Sequence, residues 1–190
     1  MTVSNIFFDP QKTVLSKYRF YFFIALSDNL GYNRKRKEEC KLGKYVEKAE
    51  QLFLKGYNCA QAVCGAFAEP MGLSERQALR LSSGFGGGMG RMRATCGAVS
   101  GMVMVIGMLG GYDGAEDDTA KKETYALVQK LSGAFLAQHS SINCHELLKN
   151  LKPTRDATPT PRTAEFYKVR PCAVFVATAA KLLEEEFNLY

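Results

Sequence analysis

The stretch Thr95-Cys96-Gly97-Ala98-Val99-Ser100-Gly101-Met102-Val103-Met104-Val105-Ile106-Gly107-Met108-Leu109-Gly110-Gly111 decides the fold class. From Gly97 to Tyr112 the chain runs for 16 residues without a charge, short of the roughly 20 that a membrane-spanning helix needs. Thr95 offers an N-cap and Gly110-Gly111 a stop. Apolar on every side, this segment reads as a core helix that other helices must cover, with Met102, Met104 and Met108 as core residues.

The segments around it carry helical signals too. Tyr45, Ala49, Leu52 and Phe53 share one face of a helix from Lys44, with Gly56 as its left-handed end. Asn58 and Gln61 form a capping box for a helix from Cys59 to about Ala68, before Pro70 and Gly72. Ser74 and Gln77 repeat the box for a short helix to about Leu81. The loop Gly84-Phe85-Gly86-Gly87-Gly88-Met89-Gly90-Arg91 holds five glycines in seven residues and cannot be regular structure.

Downstream, the acidic run Asp113 to Asp118 suits a helix N-terminus, and Leu127, Val128, Leu131, Ala134 and Phe135 continue one face toward His139. Asn143 and Glu146 read as a third capping box, opening a short helix at Cys144. Residues 153–163, with Pro153, Pro159 and Pro161, read as a loop. Pro171 suits the first position of a last helix through Cys172 to about Phe187. The expected fold is all-α, a compact bundle of about five to six helices with a Gly-rich loop, occupying residues 44–190.

Residues 1–43 differ from the rest. They combine an aromatic run from Tyr18 to Phe23 with the basic cluster Arg34 to Lys37, and carry eight Lys/Arg against four Asp/Glu, or +4 of the total +6. This extension shows no clear period beyond one short helix; it reads as either an upstream translation artefact or an amphipathic arm. The remaining +2 includes no basic stripe with interleaved aromatics, so nucleic-acid binding is not expected. No convincing signal peptide is present, and a cytoplasmic location is expected.

Six cysteines are more than a cytosolic chain usually carries and too few for a disulfide scaffold. Four share a position. Cys59 follows Asn58, Cys96 follows Thr95, Cys144 follows Asn143 and Cys172 follows Pro171, so each sits in the first turn of an expected helix. Unpaired N–H groups and the positive end of the helix dipole there favour a thiolate, the form that attacks disulfides and binds metals. Brought together by a bundle, four thiolates suit an iron–sulfur cluster or tetrahedral zinc. Cys64, in mid-helix, reads as a buried core residue, and Cys40 lies in the extension.

Gly97 and Gly101, four apart, let a backbone or a cofactor approach one face of the core helix. The loop around Gly86, Gly87 and Gly88 can cradle an anion or cluster with its N–H groups and Arg91 or Arg93. It matches no nucleotide-binding pattern. His139 and His145 read as surface residues, and Glu116-Asp117-Asp118 and Glu184-Glu185-Glu186 as solvated helix faces.

Taken in order, Gly56-Tyr57-Asn58-Cys59-Ala60-Gln61-Ala62-Val63, Phe85 to Arg91, Cys96-Gly97-Ala98-Val99-Ser100-Gly101 and Cys172 resemble the family of putative redox-active proteins named C_GCAxxG_C_C. The resemblance covers residues 44–187. It implies a redox theme, with genes often placed near those of membrane transporters. It also extends to the cluster-carrying part of split-Soret cytochromes, which implies a 2Fe-2S-like cluster on Cys59, Cys96, Cys144 and Cys172. Haem attachment does not carry over, because Ser141-Ile142-Asn143-Cys144-His145 lacks the first cysteine of C-x-x-C-H. Three readings stay open: an iron–sulfur protein for electron transfer or redox sensing, a thiol–disulfide protein using the cysteines in pairs, or a structural zinc or helical interaction module. Whether the chain is an enzyme is undecided at this level, its redox partner is unknown, and a homodimer is one option.

Overall fold

The computed structural model describes residues 43–190. The expectations for residues 1–42, Cys40 included, lie outside the described residues. Among the described residues eight α-helices follow one another: α1 Lys44–Leu54, α2 Cys59–Ala66, α3 Glu75–Leu81, α4 Gly97–Gly110, α5 Asp118–His139, α6 Cys144–Leu147, α7 Ala164–Val169 and α8 Cys172–Phe187. Among the described residues no helix is long and apolar enough to cross a membrane. The all-α expectation holds, but the count of five to six is too low. The four-residue α6 is read from its cap at Asn143, whereas α7, six residues long, is too brief to display a hydrophobic period and is not read.

Buried all round, α2 sits at the centre: Ala60, Ala62, Val63, Cys64, Gly65 and Ala66 are all buried. It packs on α1, α3, α4 and α8, while α8 also touches α1, α4 and α5. Small residues let backbones close in. A Cβ placed on Gly101 would lie 3.0 Å from the Ala60 carbonyl oxygen and 3.0 Å from the Val63 Cβ. One on Gly97 would lie 3.2 Å from the Cys59 Cβ. The core helix therefore lies directly on the first turns of α2, and larger residues such as Phe53, Phe67, Met102, Ile106 and Leu183 fill the space around that crossing.

Two capping boxes form as read, at Asn58/Gln61 and Ser74/Gln77. The third is incomplete. Asn143 accepts from the N–H groups of His145 and Glu146, but the Glu146 carboxylate takes the Ser141 hydroxyl, which itself accepts from the Asn143 N–H. Cys96 is itself the N-cap of α4. Pro171 is the N-cap of α8. Met108 is 48% exposed, since the end of α4 emerges from the bundle. His139 is half-buried, bonded to the Thr178 hydroxyl at 2.9 Å and packed between Phe135 and Phe175.

Glu184 is also no solvated residue. It is 2% exposed, and its carboxylate accepts from the N–H groups of Tyr45 and Val46 at 2.6 and 3.3 Å. Gly43 has no side chain to cap α1, so α8 supplies the cap. Burial raises the Glu184 carboxyl, and those two backbone bonds oppose the shift.

Two outcomes follow from this packing. Gly101→Val should destabilise the fold by about 1–3 kcal/mol, the usual cost of overpacking, read from the urea midpoint; an unchanged midpoint would contradict the close crossing. Burial, then the charge of Glu47, pushes the Glu50 carboxyl up to about 7. A raised folded-state value favours the protonated form, so its stabilising contribution is complete below the ordinary value of 4.5 and is lost as pH rises through about 7. Glu50→Gln should therefore raise the melting temperature at pH 8 and leave it unchanged at pH 4, and equal shifts at both would contradict the assignment.

Candidate functional site

The four helix-start cysteines reach one place by four different routes. Cys59 opens α2 behind the Asn58 cap, and Gly97 sets Cys96 close beside it. Cys96 is tied in turn to the segment before α6: its N–H donates to the Ile142 carbonyl at 2.8 Å, Thr95 pairs with Asn143 in an antiparallel bridge, and the N–H groups of Cys144 and His145 donate to Ala94 and Arg93. That short stitch carries Cys144 to Cys96 although 48 residues separate them in the chain. Cys172 arrives at the start of α8, which packs on both α2 and α4.

All four line a cavity of about 390 Å³, within the range of roughly 300–1,000 Å³ typical of small-molecule sites. Phe53, Phe166 and Phe175 supply apolar wall; Arg91, Arg93, Arg162 and Arg170 supply positive charge. Among the described residues, no Asp, Glu or His lines it. Cys64 stays apart, with its thiol 3.5 Å from the Gly101 carbonyl oxygen, as a buried core residue.

Of the loop glycines, Gly86, Gly87 and Gly90 line the cavity together with Arg91 and Gly97. Gly88 does not; a Cβ there would press on the Cys144 Cβ at 2.8 Å. Gly101 lies outside the lining, against α2. The loop coils on itself, so the N–H groups of Met89, Arg91, Met92, Arg93 and Ala94 are spent on loop carbonyls. Arg91 is also committed: its guanidinium donates to the Asp156 carbonyl and to the hydroxyls of Thr160 and Thr154. Arg91 thus fastens the 153–163 segment over the cavity.

Proton affinities correct the expectation of four thiolates. Burial pushes the Cys96 thiol up to about 12. It raises Cys144 too, against the opposing bond and charge of Arg93. Cys59 is raised first by the hydrogen bond it donates to Cys172, then by burial. Of the four only Cys172 is lowered: the bond with Cys59 acts most strongly, burial opposes it, and the charges of Arg170, Arg162 and Arg93 add to the lowering. Desolvation of a buried sulfur exceeds what a helix start returns, so proton affinity falls only where a donor and several guanidinium groups act on the sulfur.

Arg162 and Arg170 were missed by sequence reasoning. Arg170 stands two residues before Cys172, which was an available signal. Arg162 sits in the proline-rich loop, and nothing local marks it; only the fold carries it to Tyr57, whose carbonyl accepts from its Nη2 at 3.2 Å.

In the reduced, metal-free chain, iodoacetamide should therefore modify Cys172 before Cys96 at neutral pH, and Arg162→Gln should slow the Cys172 reaction. Peptide mass mapping reads both, and equal rates at the two cysteines would contradict the charge distribution.

Compared with known proteins, residues 57–186 match a family model described as "Putative redox-active protein (C_GCAxxG_C_C)". No curated protein and no solved structure matches the chain.

Proposed function

The chain belongs to this C_GCAxxG_C_C family, and from that premise we propose that it is an electron-transfer or redox-sensing protein in which Cys59, Cys96, Cys144 and Cys172 hold an iron–sulfur cluster of the two-iron type. The observation that carries the reading is the convergence of these four cysteines, and among the described residues of no acidic or histidine side chain, on one cavity. Among the described residues no three Cys, His, Asp or Glu side chains meet as ligands of a single ion. A lone tetrahedral zinc asks for such a meeting, whereas each iron of a two-iron cluster takes only two protein thiolates.

Such a cluster, when bound, supplies a one-electron couple. The chain's own part is charge and shielding. Arg93, Arg162 and Arg170 offset the negative charge of thiolates in the cavity, and the phenylalanine wall limits water. Both act on the potential of any anionic centre placed there.

A second reading rests on the Cys59–Cys172 pair, in which the proton affinity of Cys59 is raised and that of its partner lowered. That arrangement suits thiol–disulfide exchange, with Cys172 attacking and Cys59 resolving. Anaerobic purification followed by iron and acid-labile sulfide assays separates the two. About two irons and two sulfides per chain, as a two-iron cluster has, support the cluster, with loss of the visible absorbance in each of the four Cys→Ser variants. Iron-free, colourless protein that loses two thiols reversibly on oxidation, through a Cys59–Cys172 disulfide, would overturn it in favour of the pair.

A further inference from the structure

Two buried guanidinium nitrogens in the described part of the chain have no hydrogen-bond partner: Nη2 of Arg93 and Nη1 of Arg162. Both residues line the cysteine cavity. Buried N–H groups are almost always paired, and leaving one bare costs about 1–3 kcal/mol, more when it is charged. Two such groups on residues that line one cavity, with no carboxylate among its described lining residues, form a site whose anionic half is missing from the described part of the protein.

The rest of each side chain is held firmly. Arg93 is only 4% exposed; its Nε donates to the Thr154 carbonyl at 2.8 Å and its Nη1 lies 3.9 Å from the Cys144 sulfur. Arg162 donates to the Tyr57 carbonyl through Nη2, and its guanidinium carbon lies 4.9 and 4.5 Å from the Phe53 and Phe166 ring centres. Each guanidinium is thus fixed with one NH₂ group left over, which is the preorganisation that oxyanion recognition needs. The two approach from different sides. Arg93 reaches the cavity beside Cys144 and Arg162 from the turn before Cys59, and the charges of both are felt at Cys172.

We propose that Arg93 and Arg162 form a clamp for a small oxyanion, a carboxylate, phosphate or sulfate group, held inside the cavity beside the Cys172 sulfur. The clamp would seat the charged group of a small redox-active molecule within reach of the cysteines. Arg91 takes no part, since its donors are already paired. The proposal concerns the metal-free chain and goes beyond the cluster reading.

The test uses the full chain, reduced and freed of iron by chelation, titrated calorimetrically with sulfate, phosphate and succinate at constant ionic strength set by sodium chloride. Saturable binding of at least one of these oxyanions is expected, and which one binds identifies the class. Arg162→Gln and Arg93→Gln should each weaken it roughly tenfold or more, the worth of one charge-assisted hydrogen bond. The saturating anion should also slow alkylation of Cys172 in the unmodified chain, a readout that needs no variant to fold. Absence of saturable heat with all three anions, or equal affinity in both variants, overturns the clamp. Iron content is measured on the untreated preparation, so failure of the clamp and failure of the cluster are read separately.

Discussion

The close approach of α4 to α2 at Gly97 and Gly101 is the constraint on which the site depends. A side chain at either position would meet the backbone or Cβ atoms of Cys59, Ala60 and Val63 at about 3 Å, and the two helix starts would separate. With glycine there, Cys96 falls beside Cys59, and the residues before Cys96 are placed to bond with those before Cys144. The C-G-A-x-x-G pattern is therefore a packing device as much as a chemical one: its cysteine lines the cavity, its first glycine both lines it and allows the approach, and its second glycine only packs. Closing the arrangement, α8 brings Cys172 and also caps α1 through Glu184.

Electrostatics then distinguishes cysteines that share a position in their helices. A helix N-terminus offers at most a modest stabilisation of negative charge, while burying a thiolate in an apolar cavity costs more. The neutral thiol wins at Cys59, Cys96 and Cys144. Cys172 escapes because a thiol donates to it and three arginines face it. The same arginines leave the cavity with an excess of positive charge that no acidic residue among the described lining answers, so the site is prepared for something negative, whether coordinated sulfur or a bound oxyanion.

Much of this was legible in the chain. Caps at Asn58 and Ser74, the glycine stops and the apolar run from Gly97 marked the four elements α1 to α4, because each signal is local. Position alone separated Cys59, Cys96, Cys144 and Cys172 from Cys64. What could not be read depends on distant partners. Glu184 looked solvated within its acidic run because the N–H groups it serves belong to α1, and Met108 looked buried because nothing local shows where α4 leaves the bundle. Arg162 became a site residue only through Tyr57 and Phe166, and the order of thiol acidities depends on burial, which residue spacing does not reveal.

The central claim is that four cysteines make one redox centre. Diffraction from crystals grown anaerobically, with data collected at the iron absorption edge, tests it most directly. The account predicts two anomalous peaks inside the cavity, bounded by the sulfurs of Cys59, Cys96, Cys144 and Cys172. A cavity without anomalous density, its cysteines present as free thiols or as a Cys59–Cys172 disulfide, would contradict it.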